Sequence, residues 1–190
     1  MIKFCRVHAT LVLAFLFFAL GVESKPAPRH PFLRALQMEP NSLKVDLRLE
    51  HTVYSLSDSL VVEAAIQNDG DHVIYICRDL VWGPGGFMIH LKDARGNSVQ
   101  PQVLDDTFGP PPSTDDPALF VRLEQGSFFG TRRTIPVKNL VRRPGKYTLS
   151  VEYRSPIPRN YMDEKIRKLP VFWSEYPPIL SVPIDVIIRN

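Results

Sequence analysis

The chain has 190 residues, with 23 Lys+Arg against 20 Asp+Glu and a formal net charge of +3, which leaves room for one domain or two very small ones. Apolar residues at 44% and charged residues at 23% exclude a disordered chain, and 18 prolines against 10 glycines disfavour long helices. No glycine-rich phosphate loop and no fixed-period repeat occurs, which argues against a nucleotide-binding α/β enzyme, a solenoid or a propeller.

Residues 1–24 read as a signal peptide. Lys3 and Arg6 give a positive start, Leu11 to Leu20 is an unbroken apolar run, and cleavage is expected after Ser24. The run is shorter than the roughly 20 residues a bilayer span requires. The mature protein is therefore expected to be exported, periplasmic or secreted, with no membrane span. It keeps 21 positive and 19 negative side chains, too even a balance for nucleic acid, which wants a dense basic stripe. Removing the signal also removes Cys5. Cys77 is then alone, so no internal disulfide is available and the core must suffice. Cys77 ends the apolar run Val73–Ile76 and reads as a buried, inert thiol.

Residues 25–41, with Pro26, Pro28, Pro31 and Pro40, read as an extended leader. Alternation then begins, and residues 42–190 read as a single domain. Leu43, Val45, Leu47 and Leu49 face one way while Lys44, Asp46, Arg48 and Glu50 face the other, which is the pattern of a half-buried strand. Leu60, Val62, Ala64 and Ile66 repeat it. Asn68-Asp69-Gly70-Asp71 is a turn, with Val73–Cys77 expected as the returning strand. Phe87, Ile89 and Leu91 follow, then a turn at Asp93–Asn97 and a strand over Ser98–Leu104. Residues 105–117 are a long proline-rich loop. Leu119, Val121 and Leu123 resume the alternation, and Phe128, Phe129 and Ile135 suggest a further strand or two. Tyr147, Leu149, Val151 and Tyr153 alternate after a turn at Pro144-Gly145. Leu180, Val182, Ile184, Val186 and Ile188 close the chain, with Pro183 marking an edge strand or a bulge. The one helix expected lies around Tyr161–Lys168, its acidic start and basic end complementing the helix dipole. About seven to nine strands with one-sided patterning predict an all-β, immunoglobulin-like antiparallel β-sandwich. Its last two core strands are separated by an insertion at residues 154–178.

The stretch Arg143-Pro144-Gly145-Lys146-Tyr147-Thr148-Leu149 resembles the corner before the penultimate strand of immunoglobulin-like and fibronectin type III-like domains. That resemblance implies a Tyr147 hydroxyl bonded back to the loop, with Leu149 standing where an antibody domain has cysteine. Tyr54-Ser55-Leu56 and Asn68 also look like exported bacterial sandwich modules. A looser similarity is to the bacterial intracellular proteinase inhibitor domain, through Asn68, Asp93 with Gly96, and Pro144-Gly145-x-Tyr147. It spans residues 43–153; the export signal and the insertion at 154–178 depart from that family.

Beyond the signal peptide the histidines (His30, His51, His72, His90) lack metal-ligand spacing, and His90 is expected on a solvated strand face. Asp105-Asp106 and Asp115-Asp116 are a candidate calcium set, against which stand ordinary Asp and Pro turn chemistry and the lack of an Asp-x-Asp-x-Asp-Gly loop. No nucleophile motif occurs, and no cofactor is expected. The insertion holds Arg159, Tyr161, Arg167, Phe172, Trp173 and Tyr176, residue types that dominate interface hot spots. Two fates are open to Phe172 and Trp173: capping the sandwich, or anchoring a partner. Trp82–Phe87 reads as a tight loop with Trp82 in the core. Arg132-Arg133 and Arg142-Arg143 read as solvated. The leading expectation is a non-catalytic module binding a protein or a glycan through end loops 154–178 and 104–118. The alternatives are a proteinase inhibitor presenting Gly109–Thr114, and a hydrolase whose carboxylates meet only in the fold.

Overall fold

The computed structural model describes residues 42–102 and 113–190. The residues read as a signal peptide and leader, Asp105, Asp106 and most of the proline-rich loop lie outside the described residues.

The chain folds as an all-β sandwich. One sheet has three strands, β1 (Leu43–Leu49), β3 (Ser59–Asn68) and β8 (Phe128–Pro136), in the order β1-β3-β8. The opposing sheet runs β2 (Val53–Ser55), β11 (Ile184–Arg189), β9 (Gly145–Tyr153), β5 (Phe87–Asp93) and β6 (Ser98–Val99). In it β2 pairs parallel to β11, so the chain crosses to the second sheet directly after β1. Alternation explains the layering. Leu60, Val62, Ala64 and Ile66 on β3 meet Phe87, Ile89 and Leu91 on β5 and Leu149, Val151 and Tyr153 on β9 in one core. Burying those faces removes the apolar surface of both sheets from water and is the main force holding the layers together.

Among the described residues there are eleven strands, against the seven to nine that periodicity predicts; eight have four or more residues, and β2, β6 and β10 (Ile179–Leu180) are shorter. Pro183 falls in a break rather than at an edge. β10 pairs with β9 at Tyr153 and Glu152, and β11 resumes pairing at Leu149. Across the break Ser181 serves the ladder: its N–H donates to the Val151 carbonyl at 2.8 Å, and its hydroxyl accepts from the Val151 N–H at 2.9 Å. The Tyr147 hydroxyl donates to the Arg143 carbonyl at 2.8 Å, tying the corner before β9 to that strand.

The expected partner of the Val73–Cys77 strand is corrected. β4 (Ile74–Cys77) does not return against β3; it pairs antiparallel with β7 (Phe120–Leu123) in a separate two-stranded sheet. Both edges of β3 are already taken, by β1 and β8. Asn68, fully buried, manages the departure. Its side-chain amide donates to the His72 carbonyl at 2.8 Å and the Leu123 carbonyl at 3.0 Å, while its oxygen accepts from the Gly70 N–H at 3.0 Å. The turn and the end of β7 are thereby fixed to the end of β3. Of the strand expected over Ser98–Leu104, Ser98–Val99 forms β6 and residues 100–102 are not strand, while residues 103 and 104 lie outside the described residues. At the turn before it Gly96 has φ +81°, a conformation that side chains resist, and Asp93 accepts from the Arg95 and Asn97 N–H groups. A one-turn helix, α1 (Val137–Leu140), also went unpredicted; it buries Val137 and Leu140.

Candidate functional site

The 154–178 segment is woven into the fold. After β9 it runs through a 3-10 turn at Arg159–Tyr161 and a single helical turn, α2 (Glu164–Arg167), shorter than the helix the sequence suggests. It then lies alongside β4: the Tyr75 N–H donates to the Pro170 carbonyl at 2.9 Å, and the Phe172 N–H donates to the Tyr75 carbonyl at 2.8 Å. Ile157, Met162, Ile166, Val171 and Trp173 form a second core with Cys77 and Phe120. The Trp173 ring meets Phe120 edge-on, with centroids 5.8 Å apart. Phe172, the next residue back, points the other way, into the main core beside Tyr153.

Phe172 is 1% and Trp173 3% exposed. Their reading as surface anchors is therefore corrected: they cap the sandwich, because two apolar interiors lie on opposite sides of the backbone that carries them. Tyr176 is half-buried and stacks on Phe172 with centroids 5.5 Å apart. Arg159, Tyr161 and Arg167 remain outward. The structure brings the two arginines together, as the Arg159 guanidinium donates to the Arg167 carbonyl at 3.0 Å. The Arg159 N–H donates to Glu175 at 2.9 Å. Arg159, Arg167 and Glu175, with Asn160, Glu164 and Lys168, ring an open depression of about 560 Å3, in which Lys168 pairs with Glu164 at 2.7 Å. The described end of the proline-rich loop touches the same segment, since the Asp163 N–H donates to the Thr114 carbonyl at 3.0 Å.

The other candidates fare as follows. Asp116 caps the short 3-10 turn at Pro117–Leu119 by accepting from the Ala118 N–H at 2.8 Å, and Asp115 accepts from the Ser113 hydroxyl. Both are thus used in turn chemistry, and among the described residues no group of three or more metal-ligating side chains gathers. Cys77 is buried, and that burial pushes its thiol up to about 11, away from the reactive thiolate. Trp82 is buried against Phe87, with centroids 5.5 Å apart.

Two features escaped sequence reasoning. On the outer face of the larger sheet, Glu152 is 9% exposed, held between His90 Nε2 at 3.0 Å and the Arg154 guanidinium at 3.1 Å. Alternation places His90 outward, but only the register of β5 on β9 brings it within a diagonal step of Glu152. On the outer face of β1-β3-β8, Phe128 is 73% exposed; the double aromatic Phe128-Phe129 concealed which of the two faces out.

No protein-family model matches the chain, and no curated protein matches it in sequence. Among solved structures it is similar to a β-glucosidase, EmGH1, from Erythrobacter marinus, at 12% identity and TM-score 0.37 over 78% of this chain and 15% of that one. It is also similar to a β-glucosidase from Listeria innocua in complex with glucose, at 15% identity and TM-score 0.37, covering 78% and 16%. A third likeness is to β-glucosidase 3B from Thermotoga neapolitana, at 13% identity and TM-score 0.30, covering 76% and 16%. The chain thus spans about one-sixth of the length of those enzymes.

Proposed function

We propose that the chain is an exported, non-catalytic recognition module that contacts a protein partner through the outward face of the 154–178 segment. The observation that supports this reading is the pairing of Arg159 and Arg167 at the depression, beside Tyr161 at 40% exposure. Arg and Tyr supply much of the binding energy at protein interfaces, through bidentate hydrogen bonding and a rigid amphipathic ring. The footing matters equally. Met162, Ile166 and Trp173 are buried beneath the face, so its backbone is ordered before a partner arrives and less entropy is lost on binding.

The test is cross-linking of the mature protein in its native envelope or culture fluid, followed by mass spectrometry, beside the triple variant Arg159→Ser, Tyr161→Ser, Arg167→Ser. Replacing the whole segment would remove core residues, whereas these three lie outward. The expected result is one partner whose recovery falls about tenfold or more in the variant, with the unfolding midpoint unchanged. Equal recovery with both proteins, or no specific partner with either, overturns the reading.

A further inference from the structure

The outer face of β1-β3-β8 carries a trough that nothing above uses. Register sets its shape. Lys44, Gln67 and Phe128 stand side by side in one cross-strand row, and Arg48, Glu63 and Arg132 in another. The row between them is Asp46, Ala65 and Gly130. The two tall rows are four residues apart along each strand, about 13 Å at about 3.3 Å per residue, with small residues over most of the floor. Gly130 is required there, because a Cβ on it would come within 2.7 Å of the Ala65 Cβ and 2.6 Å of the Ala64 carbonyl oxygen. The result is a groove of about 500 Å3 across the strands, closed by Asp46 at the β1 side and flanked by Phe128 at the β8 side.

We infer that this trough binds a neutral saccharide chain. Charge complementarity favours a neutral ligand. The charged side chains lining the trough are Asp46, Glu63, Arg48 and Arg132, two of each sign. They also compensate one another: Arg48 pairs with Asp46 at 2.7 Å, and Arg132 lies 3.7 Å from Glu63 and 3.9 Å from Glu50. A charged ligand would gain little net attraction from such a lining. Adjacent hydroxyls, each both donor and acceptor, match the alternation of guanidinium, carboxylate and the Gln67 amide. The exposed phenyl ring of Phe128 offers a flat apolar surface for the C–H face of a sugar ring. A few fixed polar groups beside an aromatic plane are the general make-up of a small-molecule site. Strand addition by a peptide is disfavoured here, because the floor lies over β3, whose two edges are occupied by β1 and β8. The trough shares no residue with the 154–178 face, so the two proposals stand or fall separately.

The experiment uses the isotope-labelled mature protein, titrated with cellohexaose, xylohexaose, mannohexaose and hexagalacturonate while amide resonances are followed. The expected result is saturable shifts at Ala65, Phe128 and Gly130 with at least one neutral hexasaccharide at millimolar concentration, insensitive to added salt. Phe128→Ala should weaken that binding about tenfold or more with an unchanged unfolding midpoint, and Phe128→Tyr should restore it. Ala65→Leu, which fills the floor, should abolish it. The inference is overturned if no neutral sugar gives saturable shifts, if the shifts map to another surface, or if Phe128→Ala binds like the parent. It is also overturned if hexagalacturonate binds at least as tightly in a salt-dependent way.

Discussion

Replacing Trp173 by alanine tests whether the 154–178 segment is part of the fold. The ring is 3% exposed, packed among Ile157, Met162, Ile166 and Val171, and edge-on to Phe120. A tryptophan hides on the order of 200 Å2, worth about 5 kcal/mol at about 25 cal/mol/Å2. Alanine keeps a small part of that, and truncations of buried Phe or Trp cost about 3–5 kcal/mol because the cavity collapses only partly. Phe172, one residue away, sits in the main core, so loosening the second cluster pulls on the first, and the loss should appear in global unfolding. For a domain of this size it lowers the melting temperature by roughly 6–20 °C. The assay is urea and thermal unfolding of Trp173→Ala beside Tyr161→Ala, which alters an exposed ring and should stay within about 0.5 kcal/mol of the parent. A Trp173→Ala midpoint matching that of Tyr161→Ala would refute the reasoning and return Trp173 to the surface.

Three further outcomes follow from buried or bonded polar groups. Asn68→Ala removes three hydrogen bonds from a fully buried side chain, one of them to the Leu123 carbonyl in the interior, so it should cost about 3 kcal/mol in urea unfolding; a loss under about 1 kcal/mol would mean that the bonds are replaced by water. Cys77, with its thiol at about 11, should resist a disulfide reagent at pH 8 in a folded chain lacking residues 1–24 and react promptly in denaturant; rapid labelling of the native state would contradict its burial. Asp58 and Asp93 accept hydrogen bonds from Ser55 and Asn97, which hold both carboxyls below the usual 3.8. Each stabilises the fold fully above that ordinary value and loses its contribution as pH falls through the lower folded-state value. Asp93→Asn should therefore flatten the acid limb of stability against pH, and an unchanged acid limb would show that the turn holds without the charge.

Periodicity made the layers legible because burial of one sheet face is written locally, residue by residue. Leu43 to Leu49, Leu60 to Ile66 and Tyr147 to Tyr153 each declare which side is dry, and the structure places those sides in one core. Pairing is another matter. Nothing in Val73–Cys77 says that its partner is Phe120–Leu123 rather than the neighbouring β3, since that choice depends on β1 and β8 occupying both edges of β3. The same gap hid the trough, whose floor exists only because Ala65 and Gly130 fall opposite one another.

The insertion misled in a different way. The sequence leaves two fates open to Phe172 and Trp173, and the structure divides the segment by direction: apolar side chains go inward to two cores, and Arg159 and Arg167 go outward. A run with Phe172 and Trp173 adjacent breaks both helical and strand periodicity, so no local pattern assigns either ring to a face. The physical reason is that the backbone there lies between two interiors. An element in that position cannot move without disturbing both cores, so its outward side chains stand on an ordered backbone rather than on a flexible loop. Deleting the segment would therefore report on folding, and point substitutions at Arg159, Tyr161 and Arg167 are the changes that separate recognition from stability.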